Sequence, residues 1–564
     1  MTVFEDFAYT RPDVAVYEGK FKTAFHAFET AQSYDEAEAA FLQVNKLRKK
    51  LDTLFNLVEI RHTVNTDDPF YKAENDFMDE TMPIFEGKTT EFYRLLVQSP
   101  FHKELEAKWG KQLFALANSQ LKSFSDEVIP LMQEENKWAS QYTKLVAAAK
   151  IPFEGEERTL AQLGPFKESE NRQTRKAASD AYFGYYEAHE EEFDTIYDHL
   201  VKIRTQIARK LGFDNYADMS YSRMARVGYD KEMVRQYREQ IRKYVVPVAN
   251  KLYERQRKRI GVDKLYYYDE SYYFKTGNAK PHGDADWIIE NGRRMYRELS
   301  PETGEFFQYM LDHHLMDLLA TKGKAGGGYC TYIFDYNAPF IFSNFNGTAA
   351  DIDVLTHEAG HAFQVYSTKN ELIDYRWPTY EGAEVHSMSM EFFTWPWMNL
   401  FFKEDTEKRK FAHLSEALLF LPYGVSVDEF QHVVYEHPEM TPAERKEAWK
   451  AIEQKYLPHR QYDGMDYLER GGFWQRQGHI YESPFYYIDY TLAQVCAFEF
   501  WEKSQKDFAA AWKDYIDLCR QGGSQSFLDL VQTAGLVSPF AAGCVQNVIG
   551  TVSSWLDQVD DSSL

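Results

Sequence analysis

A mostly α-helical fold with one small β-sheet is what this chain of 564 residues predicts, on three observations. Apolar residues recur at helical spacing along most of its length. Short β-branched and aromatic runs bounded by Gly, Asn and Pro fall in one place, residues 326–345. Directly after them, Thr356-His-Glu-Ala-Gly-His-Ala362 sets two histidines four apart, the spacing of one helix face. With 44% hydrophobic and 16% aromatic residues the chain is globular, and 66.1 kDa is enough for a large core. A formal charge of −23 argues against nucleic acid and anionic membranes as partners, since both require positive patches. No basic head with an apolar run opens the sequence, and no stretch approaches the roughly 18 apolar residues of a membrane span. Cys330, Cys496, Cys519 and Cys544 show no paired spacing, which fits a reduced, cytoplasmic protein.

In order, Ser33-Tyr-Asp-Glu36 has the form of a capping box and opens a run in which Phe41, Val44, Leu47, Leu51, Leu54, Phe55 and Val58 share a helix face. That face must be buried against other helices. Helical patterns continue through Phe92 to Val97, Leu113 to Leu116 and Leu121 to Met132, then stop in a polar, Gly-containing passage from Ile151 to Pro165. This passage either divides an N-terminal helical region, 1–165, from a catalytic region, 166–564, or is a loop within one domain. A long helix is expected from Asn171 to Leu211, with Gly212 as its C-terminal stop, and another from Asp218 to Val248. The Tyr-rich break from Leu265 to Phe274 either lines a channel or packs at a helix junction. Strands are expected at Gly328 to Phe334 and Pro339 to Ser343, and an exposed edge there would take an extended peptide through main-chain hydrogen bonds. Trp377-Pro378 precedes a second helix, Tyr380 to Phe393, and Gly522-Gly523 and Gly535 punctuate the last helices.

The chemistry follows from spacing. His357 and His361 offer two imidazole nitrogens to one ion, and Glu358 lies beside that ion, where a general base takes a proton from an activated water. In a chain with 16 His the five-residue pattern also arises by accident, so a third ligand is needed. Glu384 is the candidate, with Glu391 on the same face and Asp353 on the first helix as carboxylates behind the ligands. Solvated surface carboxylates are the ordinary alternative, and the apolar neighbours Met388, Met390, Phe392 and Phe393 weigh against it. Farther on, Tyr486 and Tyr490 are four apart on a helix face and, with His479, supply donors for an oxyanion; a buried aromatic helix is the other reading.

His357-Glu-Ala-Gly-His361 followed by Glu384-Val-His-Ser-Met-Ser-Met-Glu391 resembles the thimet oligopeptidase and oligoendopeptidase F family of zinc peptidases, in particular its shorter bacterial members of the Pz-peptidase type. Arg209-Lys-Leu-Gly-Phe-Asp-Asn-Tyr216, Gly326-Gly-Gly-Tyr-Cys330 and the stretch from His479 to Tyr490 fit as well, so the resemblance covers about residues 170 to 550. It implies an elongated helical ellipsoid with a deep substrate channel and a small sheet beside the metal motif. It also implies one Zn²⁺ per chain held by His357, His361 and Glu384, with Glu358 as the base and His479, Tyr486 and Tyr490 at the oxyanion. The spacing from His479 to the tyrosines departs from the thimet branch, which leaves open which of Tyr486, Tyr487 and Tyr490 points inward. Gly327, Gly328, Tyr329 and Tyr487 become candidate substrate contacts, though glycines at a tight turn have an equally ordinary explanation.

The function expected is zinc-dependent internal hydrolysis of short unfolded peptides. A zinc carboxypeptidase on a related scaffold shares the His pair but needs a basic residue for the terminal carboxylate. A helical peptide-binding protein without catalysis, and a different hydrolase built on the same motif, are the remaining alternatives.

Overall fold

The structure is a computed structural model describing residues 2–564. Long helices build its first part, among them Val14–Glu29, Tyr34–Val64, Pro69–Gln98 and Ile129–Ala147. The Ser33 hydroxyl accepts the Glu36 N–H, as the spacing predicts, while the Glu36 carboxylate reaches back to the N–H of Gln32 rather than that of Ser33. On the following face Phe41, Val44, Leu47, Leu51, Leu54 and Val58 are buried. Phe41 meets Phe92 across the bundle with ring centroids 5.7 Å apart. The passage after residue 150 is a two-stranded hairpin, Ile151–Phe153 with Glu156–Arg158, turned by Glu154 and Gly155, both at positive φ. Apolar packing runs across it: Leu57, Ile60, Met132 and Tyr142 belong to the same core as the C-terminal helices.

Two helices expected as continuous are interrupted. Arg172–Ala188 and Glu190–Lys210 meet at His189, where Glu190, Glu191 and Glu192 fill the first turn of the second helix and complement its positive dipole end. Tyr216–Arg223 ends ahead of Ala225 (φ 52°) and Gly228 (φ 89°), and the helix resumes at Lys231 under an Asp230 cap. The tyrosine-rich break packs at a junction, with the Tyr267 and Tyr268 hydroxyls donating to Asp180 at 2.8 Å and Asp463 at 2.9 Å.

The small sheet has Ala338–Phe345 at its centre, parallel to Met316–Leu319 and antiparallel to Tyr329–Ile333. Met316–Leu319 carries no clear strand signal, being three half-exposed residues and an exposed Leu319, with an Asp among them. The central strand leads through Gly347 (φ 87°) into the motif helix, Ala350–Ser367. Asp351 in that helix's first turn accepts the N–H groups of Asn346 at 2.9 Å and Gly347 at 2.8 Å, so the strand and the helix are joined rigidly.

The motif helix crosses Tyr380–Phe393 at Gly360. A Cβ at that position would lie 2.7 Å from Ser387 Cα and 2.8 Å from the His386 carbonyl oxygen, so only glycine admits this approach. Thr406–Glu436 and Tyr487–Lys506 pack behind the pair, and they too approach closely, at Gly424. Among the described residues no helix is long and apolar enough to cross a membrane. Gly360→Ala is expected to cost about 1–3 kcal/mol, the usual range for overpacking a core, read as a lower urea midpoint with an unchanged slope.

Candidate active site

The crossing at Gly360 sets the metal-ligating geometry. His357 and His361 on the motif helix and Glu384 on its neighbour each present one ligand atom, all within 4.8 Å of one another. Glu384 Oε2 lies 3.2 Å from His357 Nε2 and 3.3 Å from His361 Nε2. Ligand atoms bound at about 2.0–2.1 Å around a tetrahedral ion stand about 3.3 Å apart, so the donor set fits a small divalent cation. The charges agree. Burial opposes ionisation of both His357 and Glu384, yet it is outweighed: Glu384 and Glu391 raise His357 well above the usual imidazole range, and His361 together with His357 lowers Glu384 well below that of a carboxylate. Carboxylates that hold a proton on His357 would equally hold a cation. The Ser387 hydroxyl donates to Glu384 Oε2 at 2.8 Å, and the Tyr486 hydroxyl donates to Oε1.

Behind His357 runs a hydrogen-bonded chain. His357 Nδ1 meets Glu391 Oε1 at 2.8 Å, Glu391 Oε2 meets His413 Nε2 at 2.8 Å, and Trp395 Nε1–H donates to His413 Nδ1 at 2.8 Å. An indole nitrogen can only donate, so His413 Nδ1 is an acceptor and its proton sits on Nε2, facing Glu391. The carboxylate then takes the Nδ1–H of His357, leaving the Nε2 lone pair for a metal. Glu391 thus stands where the spacing puts it, while His413 and Trp395 were not anticipated. Asp353 does not join this chain. Both its oxygens are 2.6 Å from Arg409 Nη2, while Nη1 of the same guanidinium binds Glu416 at 3.1 Å, and no hydrogen bond links it to His357 or His361. His361 Nδ1 is buried without a partner.

Glu358 is 5% exposed, and among the described residues its Oε2 has no hydrogen-bond partner. Burial pushes its carboxyl above the ordinary range, against the pull of His357 and His361. Gly328 comes close to it: a Cβ there would stand 3.3 Å from Glu358 Oε1 and 3.1 Å from Val354 Cγ1. Gly327 takes φ 85°, which supports the turn reading for that residue. Tyr329 opens the edge strand, and its hydroxyl is engaged by Thr63 Oγ1 at 2.7 Å. The outer edge of Tyr329–Ile333 therefore runs from beside Glu358, and farther along it the Tyr332 carbonyl accepts from Asn56 Nδ2 at 2.9 Å.

Opposite lie His479 and the tyrosines. The hydroxyl of Tyr423 donates to Gln477 Oε1 at 2.9 Å, which turns the Gln477 amide nitrogen to His479 Nδ1 at 2.8 Å. His479 accordingly carries its proton on Nε2, 3.1 Å from the Tyr490 hydroxyl. Burial lowers its pKa to about 4, so at neutral pH it is an uncharged N–H donor. The rings of Tyr486 and Tyr490 stack 5.0 Å apart toward Glu384, whereas Tyr487 turns to Phe420 and Tyr423. Arg226 positions this segment by donating to the Phe485 carbonyl at 2.5 Å and to Asp489 at 3.0 Å.

His413→Ala removes the donor that keeps Glu391 in place and is expected to weaken metal binding about 10–100-fold in competition with a chromophoric chelator. Trp395→Phe, which frees only the tautomer of His413, is expected to give a smaller loss.

Two family descriptions match the chain. Residues 4–124 match the Peptidase M3 N-terminal domain, and residues 165–286 and 304–548 match Peptidase family M3. Oligopeptidase PepF of Bacillus subtilis (strain 168) is 23% identical over 578 residues, covering 94% of this chain and 81% of that protein. The structure of Pz peptidase A, solved with an inhibitor, superposes with a TM-score of 0.99 at 61% identity, over 99% of this chain and 100% of that one. With the M3 match running through the motif helix, the Glu384 helix and the His479 segment, this chain belongs to peptidase family M3 and is a metallopeptidase.

Proposed function

We propose that this oligopeptidase hydrolyses internal bonds of short unfolded peptides with one zinc ion held by His357, His361 and Glu384, and that Glu358, His479 and Tyr490 carry the proton and charge movements. The observation that supports this best is the convergence of three ligand atoms within 4.8 Å beside a buried carboxylate that lacks a partner. Zinc suits a two-imidazole, one-carboxylate set. When bound, the ion supplies Lewis acidity toward the scissile carbonyl and acidifies water.

The chain's own residues do the rest. Glu358, raised by burial and without donors on Oε2, is a better proton acceptor than an exposed carboxylate, and it returns the proton to the leaving amine. The Nε2–H of His479 donates to the Tyr490 hydroxyl, which leaves the Tyr490 proton to stabilise negative charge on the carbonyl oxygen. Tyr486 holds Glu384 in place through its hydroxyl. Gly328 lets a substrate backbone pass close to Glu358, and the outer strand edge aligns it through main-chain hydrogen bonds. Tyr329 contributes to that wall while tied to Thr63. Four free cysteines, three of them buried, suit a reducing compartment, and a cytoplasmic location is part of the reading.

The deciding assay is cleavage of an internally quenched peptide blocked at both ends, with and without a chelator, with metal content measured on the same sample. Chelator-sensitive cleavage with about one zinc per chain is expected; release of C-terminal residues alone, from unblocked peptides, would favour the carboxypeptidase alternative. Glu358→Gln should retain zinc and lose about 10²–10⁴-fold in kcat, and an active variant would remove Glu358 from the base role. Tyr490→Phe should lower kcat by about 10²–10³-fold with KM nearly unchanged, because its donor acts on charge that develops only in the transition state.

A further inference from the structure

One aromatic ring at the reaction site is left uncovered. The helix Tyr380–Phe393 has fourteen residues, of which twelve are buried and Glu391 is half-buried. Tyr380 alone is exposed, at 47%. Among the described residues only seven large apolar side chains are exposed, and Tyr380 is the one that lies on a helix carrying a member of the His357, His361 and Glu384 cluster. Its place on that helix brings it to the chemistry. Positions i and i+4 share a helix face, so Tyr380 stands one turn ahead of Glu384 and about 6 Å from it along the axis. Its ring centroid lies 4.5 Å from that of Tyr486, whose hydroxyl donates to Glu384 Oε1. Tyr486 in turn stacks on Tyr490 at 5.0 Å. Three tyrosine rings thus continue outward from the oxyanion donor; the first two are half-buried and only the last is exposed.

The residue is also held from behind. The corner that precedes it, Trp377-Pro378, packs on the first turn of the helix: a Cβ at Gly382 would stand 3.0 Å from Pro378 Cβ. At the other end of that corner the Trp377 ring lies 6.0 Å from that of His361. An aromatic side chain on a braced helix start supplies contact area at little cost in ordering. We propose that Tyr380 is a specificity-determining residue whose ring receives an apolar side chain of the substrate, at a residue flanking the scissile bond. This rests on the oligopeptidase reading. The ligand cluster and Tyr490 fix where the cleaved carbonyl lies, and Tyr380 is one helix turn from Glu384 and two rings from Tyr490. Cα atoms advance by about 3.8 Å per residue, so the side chains next to the cleaved bond are the ones within reach of the ring. The ring that Tyr380 meets is another aromatic, and the carboxylate one turn away is engaged by Ser387 and Tyr486. An apolar guest is matched there, whereas a charged one gives up its hydration without gaining a partner.

The test uses the zinc-loaded enzyme and two series of internally quenched peptides blocked at both ends. One series varies the residue before the cleaved bond and the other the residue after it, each through Ala, Leu, Phe and Lys, with the cleavage position read by mass spectrometry. In one series Leu and Phe should be cut with kcat/KM about tenfold or more above Ala, the range expected when methylenes enter an apolar pocket. Tyr380→Ala should bring that ratio close to one, and Tyr380→Phe, which keeps the ring, should retain it. The other series should keep its ratios in both variants, since one ring faces one side chain. No apolar preference in either series of the unaltered enzyme would overturn the proposal, and so would a preference that survives Tyr380→Ala. A fall in kcat shared by every peptide, with the ratios kept, would mean that Tyr380 only packs Tyr486 in place, and the proposal fails. If Lys is cut as well as Phe and Tyr380→Ala removes both advantages, the ring takes cations and the apolar assignment fails. Should Tyr380→Ala not fold, Tyr380→Leu makes the same comparison, with a partial fall in the Phe to Ala ratio expected. If no peptide in either series is cut, the oligopeptidase reading itself fails, whereas cleavage with equal ratios leaves that reading standing and removes only the role of Tyr380.

Discussion

The close passage of the motif helix over Glu384's helix at Gly360 is the constraint on which the rest of the site depends. Helix axes normally stand about 8–10 Å apart because side chains keep them there. Here the backbone of one helix rests against Ser387 and His386 of the other, so two imidazoles and a carboxylate meet without any of them leaving a helical position. The strand Ala338–Phe345 and its turn, tied down by Asp351, bring the motif helix in at a fixed angle. Tyr487–Lys506, packed behind, brings the tyrosines to the third side. Placing reactive groups on rigid elements in this way costs little reorganisation when a substrate arrives.

Two imidazoles on different sides of the site are held by the same device with opposite outcomes. His357 gives its Nδ1 proton to a carboxylate and keeps Nε2 as a lone pair, whereas His479 receives an amide proton on Nδ1 and so presents Nε2–H. Each tautomer is set by a residue that itself has no choice of orientation: Glu391 is pinned by His413, and Gln477 by Tyr423. The chemistry open to each ring is settled a full side chain away from where it acts.

Local spacing made much of this legible. The His pair, Glu358, Glu384 and Glu391 all lie on two helices whose faces are fixed by the 3.6-residue period, and the strands carried their own β-branched and aromatic signal. What escaped depends on contacts between distant segments. His413 lies on Thr406–Glu436, a helix buried on nearly all sides, so no polar face marks the residue that turns toward Glu391. Asp353 has the right spacing to support His357 but was claimed by Arg409, a competition that one helix cannot reveal. Which tyrosine faces inward depends on the Phe485 corner, held at φ 68° by Arg226 from another part of the chain. The break at His189 was masked because apolar periodicity continues through it, although three consecutive glutamates marked the new helix start.

The position of Tyr329–Ile333 at the edge of the sheet has a consequence for turnover. A strand added there, as proposed for the substrate, would be held by peptide groups on both sides of the bond that is cut, and binding of this kind is shared along the length of the guest. Hydrolysis divides that length, so each product keeps only its own share of the ladder while regaining the freedom to tumble separately. Breaking the bond would then loosen the grip and clear the edge for the next peptide.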